Sequence, residues 1–210
     1  MTQQHSMNTI IHAALRRDLD RFERALSTSP SAPTPHADKL VPAWQNFYAQ
    51  LRQHHDDEET IFFPAFRELG VDEALMSGLD SEHVRMVSAL EAANAAMQAL
   101  AADTSVGTVD KAHAAVIELR DVVRAHLEHE ERDLEPFAAR HVASPQLKHA
   151  RAAVRKAHKR SLGTFFAWLQ DDADHASAAG LRNEIPPPVL LVITRLGGRR
   201  YRREVATAWT

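Results

Sequence analysis

Two stretches of the chain, HHDDEETIFFP at residues 54–64 and HLEHEERDLEP at residues 126–136, follow one pattern at an offset of 72 residues. Both read His-x3-Glu-Glu-x4-Pro, so a histidine, two glutamates and a proline recur at the same spacing. Residues four apart in an α-helix lie on successive turns and about 40° away from the same face. The pattern therefore predicts, twice in the chain, a helix that presents a histidine and a glutamate on one face.

The segments ahead of these stretches repeat as well, at an offset of 71 residues. His12 in the first segment corresponds to His83 in the second. We therefore predict that residues 1–70 and 71–141 are two copies of a helical hairpin that pack about a pseudo-two-fold axis. The corresponding apolar residues are Leu15, Leu19, Phe22 and Leu26 in the first copy and Met86, Leu90, Ala93 and Met97 in the second.

Apolar residues recur every three to four positions through most of the chain, and glycine is scarce, which predicts an all-α fold. Long helices with short connections favour an antiparallel four-helix bundle formed by residues 7–141. A Pro/Ser segment at residues 29–35 should end the first helix, and Pro64 and Pro136 should kink or end the second and fourth helices. The predicted helices span about residues 7–28, 37–69, 72–102 and 108–141.

Residues 144–210 are predicted to form a C-terminal helical extension with a basic tail, packed on or beside the bundle. This part carries 12 Lys and Arg and 5 Asp and Glu, a net charge of +7, whereas residues 1–143 carry 13 and 23, a net charge of −10. We favour a basic extension folded back on an acidic bundle over a surface for an anionic partner such as nucleic acid or lipid headgroups. Within the extension we expect a helix at 144–170, a loop at 176–180, a rigid extended stretch at 185–188 and an arginine-rich end.

The composition narrows the chemistry that the chain can perform. It contains 13 histidines and no cysteine, which excludes disulfides, thiolate metal sites and thiol catalysis. Imidazole–carboxylate metal binding is the main option left. The Glu-x-x-His motif of ferritin-like di-iron proteins and the His-Glu-x-x-His motif of zinc proteases are both absent from the sequence.

The repeated histidines and glutamates fall among the apolar core positions of their helices. A glutamate buried in a bundle core is costly unless it is paired or bound to a metal. Four imidazoles and two carboxylates would suit two metal ions, each taking two histidines, with both glutamates bridging. Nitrogen and oxygen ligands favour iron or manganese, although zinc is not excluded. The candidate ligands are His12, His54, Glu58, His83, His126 and Glu130.

This arrangement resembles the hemerythrin-like family, also called HHE cation-binding domains. The resemblance covers residues 7–141 and rests on His12, on the two His-x3-Glu motifs with their prolines, and on the segment Ser81-Glu82-His83. It implies a four-helix bundle that holds two non-haem iron ions joined by an oxo or hydroxo bridge. It also implies that the six residues above are the iron ligands, with Glu58 and Glu130 as bridges.

The sequence departs from the family at one position. Oxygen-carrying hemerythrins have a fifth histidine one turn after the third-helix histidine, where this chain has Val87. Among other sources of a fifth nitrogen, His129 is the best candidate because it lies nearly on the face of His126. His55 is expected to be solvated or to support a ligand rather than to bind metal, because the repeat has Leu127 at that position.

A second glutamate directly follows each candidate bridging glutamate. Glu59 and Glu131 could orient metal-binding histidines by hydrogen bonding. A solvated position on the helix surface is the expectation that we favour for both.

The missing fifth histidine disfavours a pure oxygen carrier. Open metal positions favour reaction with O2, hydrogen peroxide or nitric oxide in a stress response, with peroxide breakdown as the favoured reaction. Whether the protein is a catalase- or peroxidase-like enzyme is left open. The alternative is a non-catalytic binding or sensing module, in which the metal staples the helices and the basic tail binds an acidic partner or a second subunit in a homodimer.

The sequence also bears on partners and location. A net charge of −3 disfavours a protein that coats nucleic acid. The first residues lack the basic and apolar regions of a secretory signal, and no apolar run approaches the roughly 20 residues of a spanning helix. We therefore expect a cytoplasmic protein with no membrane partner.

Overall fold

The computed structural model describes residues 6–27 and 37–209, and the regular structure in these residues is entirely helical. The Pro/Ser loop expected at residues 29–35 lies outside the described residues. The helices are α1 (Met7–Leu26), α2 (Ala37–Asp57), α3 (Phe63–Glu68), α4 (Glu73–Ala102), α5 (Val106–His129), α6 (Glu135–Arg140), α7 (Pro145–Ala157), α8 (Leu162–Gln170), α9 (His175–Glu184), α10 (Pro187–Gly197) and α11 (Arg199–Glu204).

Short polar residues and one glycine set the ends of the long helices. α1 begins after Ser6, whose hydroxyl accepts a hydrogen bond from the backbone N–H of Thr9 at 3.1 Å. α4 begins after Asp72, which accepts from the backbone N–H of Ala74 at 2.9 Å. Gly70 follows α3 with φ of +81°, a left-handed conformation that glycine adopts without steric cost. These caps place the start of α4 close to the end of α3.

The apolar stripes of the two repeats pack into one core. α1 contacts α2 and α5, and α4 contacts α2 and α5. Each fully buried Leu or Phe contributes about 1.5–3 kcal/mol, so this shared core stabilises all four long helices together. All eight residues predicted from the repeat are buried: Leu15, Leu19, Phe22, Leu26, Met86, Leu90, Ala93 and Met97.

The two prolines do not end helical structure, and each follows a change in the type of helix. The chain stays helical, but a π-helical turn precedes each proline, at Glu58–Phe62 and at Glu130–Leu134. In the first turn the N–H of Phe63 donates to the carbonyl oxygen of Glu58, five residues back. A proline has no N–H and its ring clashes with the carbonyl four residues earlier, and the wider turn moves that carbonyl aside. Each π-helical turn therefore begins at the glutamate of the repeated motif.

The C-terminal extension contains more helices than the sequence predicts. The single helix expected at 144–170 is divided into α7 and α8 by a turn, and the loop expected at 176–180 lies inside α9. Asp174 starts α9 by accepting hydrogen bonds from the N–H groups of Ala176 and Ser177. The stretch expected to be extended keeps that conformation only at its first two residues, because Pro187 begins α10 at a position where no N–H is needed.

The extension packs on α1 through a buried polar network. The indole N–H of Trp168 donates to Asp18 at 2.7 Å, and Arg21 donates to Asp171 at 2.8 Å. The hydroxyl of Tyr201 donates to the same carboxylate of Asp171 at 2.9 Å. At this contact the acidic side chains of Asp171 and Asp172 in the extension pair with Arg21 of α1. None of the helices in the described residues is long and apolar enough to span a bilayer.

The contact between α8 and α10 requires two glycines. A Cβ atom added at Gly163 would lie 2.3 Å from the Cα of Gly197, which is far inside van der Waals distance. Only glycine at these positions lets the two backbones approach so closely. The glycine pair therefore fixes the position of α10 against α8.

We expect Gly163→Ala to lower the free energy of unfolding by about 1–3 kcal/mol, because the new methyl group meets backbone that cannot rotate away. Gly107→Ala is the matched control, since no atom lies within 4 Å of its added Cβ. This control should be neutral or should stabilise the protein by up to about 1 kcal/mol through helix propensity. Denaturant unfolding of both variants measures the difference, and equal midpoints would contradict the close contact.

Candidate metal centre

Ionisable side chains that are almost fully removed from water meet between α1, α2, α4 and α5, within and next to the shared core. All six candidate ligands predicted from the sequence lie in this cluster, and one further histidine, His55, joins them. The members of the cluster are His12, His54, His55, Glu58, His83, His126 and Glu130.

The cluster divides into two groups, and in each group one nitrogen or oxygen atom per residue lies within 4.8 Å of all the others. Glu58 belongs to both groups, which suits a carboxylate placed between two metal ions. The imidazoles are divided three and two, in contrast to the equal division that the sequence predicts. We call the first set, His55, His83, His126 and Glu58, the three-imidazole group, and the second, His12, His54, Glu130 and Glu58, the two-imidazole group.

Several polar atoms in the cluster have no hydrogen-bond partner among the described residues. They include the Nε2 atoms of His12, His54 and His55, one oxygen of Glu58 and both oxygens of Glu130. Each unsatisfied buried polar group costs about 1–3 kcal/mol. Nitrogen and oxygen atoms that converge without partners are the donor set that iron, manganese or zinc accepts. The residues present therefore fit a metal ion in each group.

Corresponding distances show that the two repeats build the cluster in the same way. Within a repeat, His54 Nε2 lies 3.3 Å from a Glu58 oxygen, and His126 Nε2 lies 3.8 Å from a Glu130 oxygen. Between repeats, His12 Nε2 lies 3.3 Å from Glu130. The equivalent distance, from His83 Nε2 to Glu58, is 3.7 Å. Each motif glutamate therefore faces a histidine of its own repeat and one of the other repeat.

The second glutamate of each motif reaches across to the other repeat. His12 Nδ1 lies 2.9 Å from Glu131, and His83 Nδ1 lies 3.0 Å from Glu59, so the two hydrogen bonds are related by the repeat. Both glutamates are therefore placed to orient a histidine, and Glu59 is also exposed to solvent, as expected from the sequence. A hydrogen bond at Nδ1 fixes the ring and leaves Nε2 free to face the cluster. Arg16 also donates to Glu131, at 2.7 Å.

His129 does not enter either group, although the sequence made it the best source of a fifth nitrogen. Its Nδ1 lies 2.9 Å from one oxygen of Glu82, whose other oxygen lies 2.9 Å from His126 Nδ1. Its Nε2 lies 3.4 Å from Asp133. Glu82 therefore orients His126, a role that spacing alone did not reveal because no counterpart exists in the first repeat, where Ile11 takes its place.

His55 is buried in the cluster, so the solvated position that was one of the two expectations for it is wrong. Consecutive residues on a helix point about 100° apart, and α2 contacts α1 on one side and α4 on the other. The ring of His54 therefore faces His12 at 5.2 Å, while the ring of His55 faces His83 at 4.7 Å. The repeat did indicate this burial. The residue that corresponds to His55 in the second repeat is the apolar Leu127, which is itself fully buried.

Burial and mutual contacts shift the pKa values of the cluster in the metal-free protein. Burial, helped by neighbouring histidines, holds the pKa of His54 and of His55 well below the usual value, so both rings stay neutral. Burial and the charge of Glu130 raise the pKa of the Glu58 carboxyl. Burial alone would also raise the pKa of Glu130, but the nearby imidazoles of His12 and His126 lower it overall. Neutral imidazoles beside an ionised carboxylate are the forms that bind metal.

The C-terminal extension also reaches the centre. α7 contacts the first π-helical turn, and His158 Nε2 lies 2.9 Å from the carboxylate of Asp57, the residue before Glu58. Phe63, which ends that turn, stacks on the ring of His83 with centroids 5.2 Å apart. Polar and apolar contacts thus hold the turn that carries Glu58.

Comparisons with known proteins agree with this geometry. A family model described as the hemerythrin HHE cation binding domain matches residues 10–138, which is more than half of the chain and includes every residue of the cluster. Searches of curated proteins and of solved structures gave no match. The extent of the family match, together with the repeated motif and the buried histidines and glutamates, shows that the chain belongs to the hemerythrin HHE cation-binding domain family.

Proposed function

We propose that the chain binds two non-haem iron ions in the buried cluster and breaks down hydrogen peroxide, with reaction towards O2 or nitric oxide as related activities. The observation that supports this most directly is the convergence of unpaired Nε2 and carboxylate oxygen atoms in a core that excludes water. Such atoms are costly in the metal-free protein and are satisfied together by two metal ions. Iron is the metal that the family implies, and manganese suits the same donor atoms.

The ligand set that we propose is the predicted six residues together with His55. Glu58 would hold both ions, because it belongs to both groups. A bridging role for Glu130 is supported by its position between the groups, with one oxygen 3.3 Å from His12 Nε2 and 3.8 Å from His126 Nε2. The two-imidazole group would supply its ion with fewer nitrogen ligands and so would leave more room for a small molecule.

The residues of the chain hold and protect the reacting ions. Iron supplies redox chemistry, and the balanced reaction converts two molecules of hydrogen peroxide into two of water and one of dioxygen. Glu59, Glu82 and Glu131 keep three of the imidazoles turned toward the ions by hydrogen bonds at Nδ1. Phe63 and the fully buried core limit access of bulk water. Together these residues support reaction with a small ligand at a site closed to larger molecules.

The helix arrangement implied by the family belongs to the same proposal. We infer that residues 7–141 form an antiparallel four-helix bundle made of two hairpins, with residues 144–210 as an extension on it. The contacts of α1 and α4 with both α2 and α5 support this arrangement. The matched distances within and between repeats support the pseudo-two-fold relation of the hairpins.

We expect the iron-loaded protein to show the near-UV charge-transfer band of a di-iron centre, and we expect that band to bleach or shift when peroxide is added. Metal analysis, absorption spectra and an oxygen electrode test this on one sample. The double variant His54→Ala, His126→Ala should lose both the bound iron and the oxygen release, because each substitution removes an imidazole from a different group.

Two outcomes separate the parts of this proposal. If the double variant holds as much iron as the parent, the site assignment is wrong. If the parent binds two iron ions but consumes peroxide no faster than free iron, the protein is a metal-stapled binding module instead of a catalyst.

We expect His55→Ala to lower the iron content toward one ion per chain, because the three-imidazole group loses a nitrogen that nothing nearby replaces. His149→Ala is the matched control, since that histidine is exposed and remote in sequence from the motifs. Metal analysis after dialysis distinguishes the two variants. An unchanged iron content in His55→Ala would place His55 outside the ligand set.

We expect Glu59→Gln and Glu131→Gln each to weaken metal affinity by roughly 10–100-fold, because a neutral amide orients and polarises the imidazole less than a carboxylate does. Glu128→Gln, at an exposed position on α5, controls for the loss of one negative charge. Competition with a chelator measures the affinity. Equal weakening in all three variants would mean that overall charge, and not the crossed hydrogen bonds, sets the affinity.

A further inference from the structure

Helix α10 exposes an apolar face that the fold leaves uncovered. The described residues expose eight large apolar side chains, and half of them lie on this one helix of 11 residues. The remaining four are spread over α4, α5 and the turn after α6. A concentration of this kind on a single element indicates a contact surface. The exposed residues of α10 are Val189, Leu191, Val192 and Leu196.

The orientation of this face is fixed by the opposite side of the helix. Leu190 and Thr194 of α10 are buried within the extension, and Gly197 is in close contact with Gly163 of α8. At about 100° per residue, Val192 points away from these anchors. The helix therefore cannot turn its apolar side chains inward without breaking the contact between the two glycines.

Arginines border the apolar face at its C-terminal end. Arg195, Arg199 and Arg203 are exposed, and none of them is paired with a carboxylate within the described residues. Arg202 donates to the carbonyl oxygens of Thr194 and Arg195, at 2.9 and 3.3 Å, and so stays close to α10. These side chains leave a concentrated positive charge next to exposed aliphatic groups.

An open cavity of about 360 Å³ lies at the junction of α10 and α11. Its walls combine three guanidinium groups with an aliphatic side chain and a hydroxyl. Such a lining suits a phosphate group that carries an apolar chain, since arginine pairs well with phosphate oxygens. The residues that line it are Leu191, Thr194, Arg195, Arg199 and Arg202.

We propose that α10 and the start of α11 dock the protein on the surface of an anionic lipid bilayer. The four aliphatic side chains enter the boundary between headgroups and acyl chains, and the arginines bind headgroup phosphates. The helix lies in the interface and does not cross the membrane. This surface departs from the sequence expectation of no membrane partner, and it does not depend on the metal chemistry proposed above.

The observations favour a lipid surface over another protein. In a symmetric dimer with parallel α10 helices, Arg195 and Arg199 would lie near their own copies, which like charge disfavours. The four apolar side chains are each about half or more exposed, as suits insertion into a lipid surface. The chain also neutralises little of this charge itself, because the carboxylates Asp171 and Asp172 are paired with Arg21 of α1.

Vesicle flotation with the full iron-loaded chain tests the proposal. The protein should float with phosphatidylcholine vesicles that contain phosphatidylglycerol and not with phosphatidylcholine alone, and added salt should reverse the binding. Arg195→Gln combined with Arg199→Gln should weaken binding by roughly 30-fold, because each basic residue near an anionic surface contributes about 1 kcal/mol. The triple variant Leu191→Gln, Val192→Gln, Leu196→Gln should abolish flotation.

Matched variants elsewhere on the surface serve as controls. Val84→Gln with Val106→Gln removes equally exposed apolar groups from α4 and α5, and Arg85→Gln with Arg132→Gln removes two exposed arginines. Both controls should bind vesicles like the parent. Iron content and the unfolding midpoint show whether each variant is folded. This check does not require the proposed peroxide activity.

Three results would overturn the proposal. The first is flotation that is equal for neutral and anionic vesicles. The second is flotation that survives in the α10 triple variant. The third is a parent protein that does not bind vesicles but forms a dimer, where the triple variant is monomeric. This result would assign the apolar face to contact with a second copy of the chain.

Discussion

The burial of two carboxylates beside five imidazoles is the constraint on which the rest of the structure depends. Glu58 and Glu130 have at most 5% of their surface exposed, and between them they have three oxygens without a hydrogen-bond partner in the described part of the chain. An apolar core would be more stable without them. Their presence is reasonable only if something binds them, and the free Nε2 atoms around them indicate a cation. A bound metal would therefore satisfy the buried polar atoms that the rest of the core leaves unpaired.

The repeat explains how one sequence pattern can meet this constraint twice. Each motif glutamate faces histidines of both hairpins, and each following glutamate holds a histidine of the opposite hairpin. The Glu-Glu doublet thus has two roles, one inside the cluster and one at its rim. The crossed contacts also make the hairpins interdependent, because neither can form a complete group alone. A π-helical turn at each doublet accommodates the proline that follows and leaves the helix continuous.

The sequence predicted the long helices, the apolar stripes and six members of the cluster, because periodicity and internal repetition report burial directly. It did not predict His55, whose neighbour His54 already filled the expected inward position. The expectation that a helix buries only one face fails for α2, because this helix contacts α1 on one side and α4 on the other. Glu82 was missed because its role depends on the packing of α4 against α5, which no spacing encodes. In the extension, the helix start at Asp174 was hidden in a stretch of small residues that composition alone describes as a loop.

The departures from symmetry make the two halves of the centre chemically different. His55 and Glu82 both serve the three-imidazole group, and their counterparts, Leu127 and Ile11, contribute no ligand atom to the other. The three-imidazole group therefore offers more nitrogen donors, while the two-imidazole group has a second carboxylate, Glu130. In the di-iron centre that we propose, an ion held by the two-imidazole group would keep more open positions for a small ligand, which suits the proposed reaction with peroxide.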